Sequence, residues 1–247
     1  MPLPYRRVLS QKRKVIPMRK LFAMLLTLTF LTLPAEAAVD DQYVALTFDD
    51  GPSGKYTRQL LDGLYDRGVQ ATFLLCGYRM KDYPDITQRI FDEGHEIGLH
   101  GYSHKTMKVM SRRDIAQELM DSQALLPEGC TPAFLRPPGG CCSDSVLQVA
   151  KARNLGILSW SVDPRDWATD DTAAIETAVL EKIKDGDIVL LHDMSTSSVK
   201  AALDIVDSLL EDGFTFVTVS ELARLRGIRI RGGQVYTAFP KKEEAVK

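Results

Sequence analysis

The feature that most constrains this chain is an alternation of short apolar runs with helical patterns, sustained over nearly its whole length. Residues 44–48 read as a strand, and Leu60, Leu61 and Leu64 then share one helix face. Further strands are expected over residues 71–75, 96–99, 134–136, 156–162, 187–191 and 215–219. The helices between them fall near 86–93, where Gly94 is the terminating glycine, and near 112–126, 143–153, 172–184, 199–211 and 220–225. Seven strands each followed by a helix imply parallel pairing with right-handed crossovers. Two architectures satisfy that, an open doubly wound sheet or a closed barrel.

The polar residues choose between them. Asp49 and Asp50 follow the first strand, His100 and His104 the third, Arg136 the fourth, Asp166 and Trp167 the fifth, and His192 and Asp193 the sixth. An open sheet gathers such groups only near its switch point, whereas a parallel barrel gathers them around the C-terminal ends of its strands. We therefore expect a distorted (β/α)7 barrel in a single α/β domain, with the active site at that end.

The domain is expected over residues 38–227, followed by a tail over 228–247 that is either disordered or covers the barrel floor. Residues 1–37 read as a signal peptide. Arg19 and Lys20 precede an apolar run of about 13 residues, too short to span a bilayer, and Pro34-Ala35-Glu36-Ala37 offers an A-x-A cleavage site. An uncleaved anchor is the alternative, and Met18 is an alternative start. Cleavage near Ala37 would remove seven basic residues and Glu36 from the 31 basic and 33 acidic side chains, leaving a body with a net charge near −8. Such a body gains no counterion-release affinity for nucleic acid, so no nucleic-acid partner is expected and a neutral glycan fits better. Membrane contact is expected only through an uncleaved leader, and the protein is expected to be a secreted or cell-wall-associated monomer. Cys76, Cys130, Cys141 and Cys142 contain no C-x-x-C pair, which argues against a zinc ribbon. A Cys130 bridge to one of the adjacent pair and four free thiols both remain open.

Each polar segment has a plain alternative when taken alone. Asp49-Asp50 before Gly51-Pro52 reads as a turn pair, or as two divergent carboxylates, one for a metal and one facing substrate. His100-Gly101-Tyr102-Ser103-His104 spaces two imidazoles across one helical turn or a tight loop, and either can clamp a cation. It is not an H-E-x-x-H motif, because Gly101 occupies the glutamate position. Arg136-Pro137-Pro138-Gly139-Gly140 sets a guanidinium before a rigid and then permissive loop. A lone Arg136 is usually a surface group, Asp166-Trp167 a loop pair, and His192 a buried structural histidine. His95 is expected to be structural.

The order and spacing of these five segments resemble the polysaccharide deacetylase (NodB-homology) family, carbohydrate esterase family 4, over residues 44–225. The resemblance implies Asp49 as catalytic base, Asp50, His100 and His104 as metal ligands, and Arg136 as the residue that holds the base. It implies Asp166 as the group orienting His192, the general acid, and Trp167 and Leu190 as groove lining. The Gly139 N–H is implied as an oxyanion donor. Two positions depart from the pattern. Gly101 stands where the family usually has Ser or Thr, removing a hydrogen bond that steadies the loop, and Gly139 replaces a frequent Tyr that shapes the groove. The expected activity is metal-dependent release of acetate from GlcNAc- or MurNAc-type residues of a cell-wall or chitin-like polysaccharide. Two nitrogen ligands and one oxygen suit Zn2+, with Co2+ or Ni2+ as alternatives. The competing readings are a non-catalytic glycan-binding protein on the same scaffold and a barrel amidohydrolase acting on a small amide or imide. Asp49 and His192 argue against the former, since binding alone needs neither base nor acid.

Overall fold

The computed structural model describes residues 41–241. The leader read over 1–37 and the charged residues Lys242, Glu243, Glu244 and Lys247 of the tail lie outside the described residues. In chain order the elements are β1 (Gln42–Asp49), α1 (Tyr56–Asp66), β2 (Thr72–Leu75), α2 (Gly77–Asp82), α3 (Pro84–Asp92), β3 (Glu96–Leu99), α4 (Arg112–Gln123) and β4 (Phe134–Leu135). They continue with α5 (Asp144–Ala152), β5 (Gly156–Leu158), α6 (Thr172–Leu180), β6 (Ile188–His192), α7 (Thr196–Glu211), β7 (Phe214–Phe216), α8 (Val219–Leu225) and β8 (Val235–Tyr236).

Every ladder between these strands is parallel, in the order β6-β1-β2-β3-β4-β5-β8, with β7 paired to the first residues of β1. The ends of this path approach each other. Val162, past β5, bridges to Val189 of β6, and Ala238, past β8, bridges to Asp187. The sheet is a distorted (β/α)7 barrel whose seam, between β5 and β6, is filled by the two-residue β8.

β1 shows how one strand serves two layers. Val44, Leu46 and Phe48 pack outward with Leu60, Leu64, Ile90, Ile205 and Leu209 of the surrounding helices. Ala45 packs inward with Leu74, Phe134, Leu158 and Ile188. That is the period of two of an extended strand buried on both faces. Each fully buried Leu or Phe contributes about 1.5–3 kcal/mol, so the apolar layers stabilise a barrel that carries polar groups at one end. The inward series of β1 changes from Ala45 to Thr47 to Asp49 as it climbs toward that end.

Side-chain caps fix where five of the helices start. Ser111, Ser143, Asp171, Ser195 and Thr218 each accept a backbone N–H from the first turn of α4 to α8 respectively. The Ser195 cap starts α7 one turn before the expected 199, and the Thr218 cap starts α8 at Val219, which ends the expected strand at Phe216. β5 stops at Leu158 because the carbonyls of Leu158 and Ser159 turn to accept from Arg136. The helix α2 and the strand β8 were not expected. Beyond Gly227 the chain packs onto the barrel, with Tyr236 and Phe239 buried in the interior cluster. All four cysteines are free thiols.

Candidate active site

The parallel register sets Asp49 beside His192 across β1 and β6. Asp49 is only 4% exposed, and its Oδ1 accepts from Arg136 Nη1 at 2.7 Å. Arg136 is completely buried. Its Nη1 also donates to Thr47 Oγ1 (2.8 Å), its Nε to the Leu158 carbonyl (3.2 Å) and its Nη2 to the Ser159 carbonyl (2.9 Å). The guanidinium lies 5.6 Å from the ring centre of Trp160. A buried charge survives only when paired and hydrogen-bonded, and the planar fork of an arginine can satisfy that from several sides at once. The result is a carboxylate held rigidly at a strand end.

Asp50 takes the left-handed conformation (φ 72°), which turns its side chain away from that of Asp49. Its Oδ1 lies 3.2 Å from His100 Nε2 and 2.9 Å from His104 Nε2. The histidines sit in a tight loop after β3, the second of the two geometries their spacing allows. His100 Nδ1 approaches the Arg136 carbonyl at 2.6 Å. A carbonyl only accepts, so Nδ1 carries the proton and Nε2 presents a lone pair. Asp50 Oδ1 is buried and has no hydrogen-bond partner of its own. One ligand atom from each of the three residues falls within 4.8 Å of the others. Burial alone would raise the Asp50 carboxyl; imidazoles carrying a proton on Nε2 hold it well below the usual carboxylate range, and once those protons leave, the same oxygen faces their lone pairs. An orphaned carboxylate oxygen facing an imidazole lone pair is what a divalent cation would satisfy, so the donor set fits one.

Asp166 lies in a short turn after β5 and is buried. Its Oδ1 pairs with His192 Nδ1 at 2.8 Å, and its Oδ2 accepts the His192 backbone N–H, also at 2.8 Å. Ring and backbone are thus held by one carboxylate. Burial would depress the His192 imidazole, but Asp166, with smaller contributions from Asp49 and Asp50, pushes it up to about 9.

Gly139 adopts φ 69°, where a side chain would be strained, although open space lies where its Cβ would stand. A cavity of about 370 Å³ is lined by Asp49, His100, Gly139, Trp160, Leu190 and His192. A neighbouring cavity of about 390 Å³ is lined by Asp166, Asp170, Met194 and Ser195. Both touch Asp50, Trp167 and His192, so they form one groove across the site. Trp167 is 62% exposed on its rim. All ten residues singled out in the sequence converge here.

Three others join the site: Asp193, noted in the sequence only as a polar residue after the sixth strand, and Trp160 and Glu118, for which the sequence carries no signal. Trp160 reads as a strand residue, yet it lines the groove and stacks on Arg136. Asp193 is fully buried, takes the Thr57 hydroxyl on Oδ2 and the Ser53 hydroxyl on its carbonyl, and so ties the turn after Asp50 to the end of β6. Glu118 falls within the helix expected near 112–126, and its carboxylate reaches the loop between the two histidines. His95 is structural as expected: it is buried, and Nδ1 accepts from the Ala71 N–H at 3.1 Å.

Fold and site together define a class of protein: a seven-stranded α/β barrel with a carboxylate–guanidinium pair, a two-histidine, one-aspartate cluster and a carboxylate–imidazole pair around one groove. Residues 36–157 match a family model described as polysaccharide deacetylase. A peptidoglycan-N-acetylglucosamine deacetylase of Bacillus cereus is 36% identical over 197 residues, covering 77% of this chain and 92% of that protein. The peptidoglycan-N-acetylmuramic acid deacetylase PdaC of Bacillus subtilis is 34% identical over 200 residues, 79% of this chain, which spans 42% of that longer protein. Among solved structures, a family 4 acetyl xylan esterase from Clostridium thermocellum in complex with a cobalt ion aligns with a TM-score of 0.74 at 34% identity, covering 81% of this chain and 100% of that one. The chain belongs to the polysaccharide deacetylase family, carbohydrate esterase family 4.

Proposed function

We propose that this protein is a metal-dependent hydrolase that removes N-acetyl groups from GlcNAc- or MurNAc-type residues of a cell-wall or chitin-like polysaccharide and releases acetate. The observation that carries the reading is the division of labour between adjacent residues: Asp49 is bound to Arg136, while Asp50 faces His100 and His104.

Hydrolysis of an unactivated amide needs a deprotonated water, a stabilised oxyanion and a proton for the departing amine. Asp49, oriented by Arg136, accepts the proton of the attacking water. Asp50, His100 and His104 would hold a cation. When bound, such an ion supplies Lewis-acid chemistry, lowering the pKa of water toward about 7 and polarising the acetamide carbonyl. The Gly139 N–H donates to the oxyanion, a contribution typically worth about 3–4 kcal/mol per donor. As the tetrahedral carbon collapses, the C–N bond breaks and His192 gives the Nε2 proton to the sugar nitrogen. Asp166 occupies Nδ1, which leaves Nε2 facing the groove as the proton-delivering atom.

Zn2+ is the proposed ion on the strength of two imidazole nitrogens and a carboxylate oxygen; Co2+, present in the clostridial relative, and Ni2+ are the alternatives. The glycan is proposed from the open groove with Trp167 on its rim, and from two relatives named for peptidoglycan sugars, one GlcNAc and one MurNAc. A leader ending near Ala37, a catalytic domain from residue 38 to 227 and action outside the cytoplasm complete the proposal. The rival glycan-binding reading has no use for Asp49 and His192, each of which keeps a dedicated partner. The test is acetate release from acetylated chitooligosaccharide and from peptidoglycan. Chelation should abolish release and Zn2+ restore it. Glycan binding without acetate release by the Zn2+-loaded protein would establish the rival, and full activity after verified metal removal would exclude the cation.

A further inference from the structure

The loop that carries His100 and His104 is pinned from two sides. The Gly101 and Tyr102 carbonyls accept from the N–H groups of Gly77 (2.9 Å) and Tyr78 (3.0 Å) at the start of α2. From the other side the Tyr102 and Ser103 N–H groups both donate to Oε2 of Glu118, at 2.7 and 2.8 Å, and the Ser103 hydroxyl donates to Oε1 at 2.7 Å. Glu118 lies in the middle of α4, remote in sequence from every other group at the site.

The loop needs this support. Gly101 has φ 80° and His104 has φ 56°, so an imidazole-bearing residue is held in the left-handed region. Such a residue persists only where its surroundings over-determine it. Gly101 contributes no side chain to that task, and a Cβ there would stand 2.9 Å from Met107 Cε and 3.4 Å from Glu118 Oε2. The polar group that fixes the loop therefore comes from outside it. A carboxylate suits the place, because one ionised oxygen can accept two successive backbone N–H groups in short, charge-assisted bonds.

We infer that Glu118 is a positioning residue for the cation site, clamping the 100–104 loop so that His104 Nε2 stays opposite Asp50. Glu118 touches neither the ligand atoms nor the groove. The inference rests on the reading that Asp50, His100 and His104 hold a divalent cation.

Zn2+ affinity, measured by competition with a chromophoric chelator, tests it without any need for turnover. The Co2+ absorption spectrum reports ligand geometry on the same proteins, and circular dichroism reports folding. Glu118→Ala should bind Zn2+ about 10–100-fold more weakly, the range seen when groups supporting a metal ligand are removed, and should show an altered Co2+ spectrum. Glu118→Gln keeps an oxygen for both N–H groups and should lose less than Glu118→Ala. Glu118→Asp keeps charge and helix but is one methylene short, and should fall between the wild type and Glu118→Ala. A folded Glu118→Ala with wild-type Zn2+ affinity and Co2+ spectrum would overturn the inference. Should that variant not fold, unchanged affinity in Glu118→Asp overturns it equally. Wild-type protein that binds no Zn2+ would overturn both the cation reading and the clamp. Absence of acetate release with Zn2+ bound would break the deacetylase reading alone, since the clamp is read from affinity.

Discussion

His95 and His192 sit at opposite ends of the barrel, the first buried and the second half-buried, and the protein drives their proton affinities in opposite directions. His95 precedes β3 at the N-terminal end, where its Nδ1 accepts from a backbone N–H and its ring meets Phe73 edge-on. Burial, helped by the charge of Arg89, pushes it down to about 4. His192 closes β6 at the C-terminal end, where Nδ1 faces a carboxylate and the pKa rises to about 9 against the opposing effect of its partial burial. The carboxylates repeat the contrast. Glu96, at the lower end, takes hydrogen bonds from Thr72 and Ser220, and burial leaves its carboxyl raised. Asp50, at the upper end, is held low by two imidazoles. What differs is the contact at the ring nitrogens: Glu93 Oε2 stands 3.9 Å from His95 Nε2, outside hydrogen-bond reach, and Arg89 adds positive charge, whereas Asp166 bonds the His192 ring directly at 2.8 Å. One end is built to be inert and the other to hold separated charge until substrate arrives.

The strongest way to break this contrast is to neutralise the upper end. Asp49→Asn should lower kcat/KM by about 10²–10⁴, the usual weight of a general base, while Zn2+ affinity stays near wild type. Steady-state acetate release and metal titration on the same preparation check both halves, and an active variant would show that Asp49 is not the base.

Asp166→Asn sharpens the comparison by taking the hydrogen-bonded carboxylate away from His192, as His95 has none. The wild-type rate should decline above pH about 9, where His192 loses its proton. Without the carboxylate that raises it, the imidazole deprotonates at lower pH, so the alkaline limb of the kcat profile should move to lower pH and kcat should fall by about tenfold or more. An unmoved limb would mean that another group supplies the proton.

The smallest effect belongs to the lower end. Between pH 6.5 and about 4 the unfolded chain protonates His95 while the folded protein does not. Stability therefore falls as pH falls through this window, at no more than about 1.4 kcal/mol per pH unit from this group. Urea titrations of wild type and His95→Gln should show a shallower pH dependence in the variant, with kcat unchanged. The variant should also lose about 1 kcal/mol at pH 7, the worth of an imperfectly replaced hydrogen bond.

Legibility in the sequence followed the range of each signal. The strand over residues 44–48, the helix carrying Leu60 and Leu64, and the starts of the helices at 112 and 172 depend on neighbours a few residues apart, and their positions could be read directly. β8 could not, because two residues make a strand only when a distant seam receives them. In the site, Asp49, Asp50, His100, His104, Arg136, Asp166, Gly139, Trp167, Leu190 and His192 were legible as an ordered set of segments at strand ends, although each alone was ambiguous.

The sequence by itself determined the alternation of strands and helices and the polar residues that end the strands, because both are periodic or positional properties of a local stretch. Tertiary structure alone decided which nitrogen of His100 carries a proton, since the Arg136 carbonyl that settles it lies 36 residues away. It also decided that Trp160 lines the groove, that Asp193 ties two strand ends together, and that Glu118 holds the histidine loop. All four share one cause. A side chain's hydrogen-bond and packing partners are set by how the chain closes on itself, and nothing in the residue or its neighbours records which distant group will arrive.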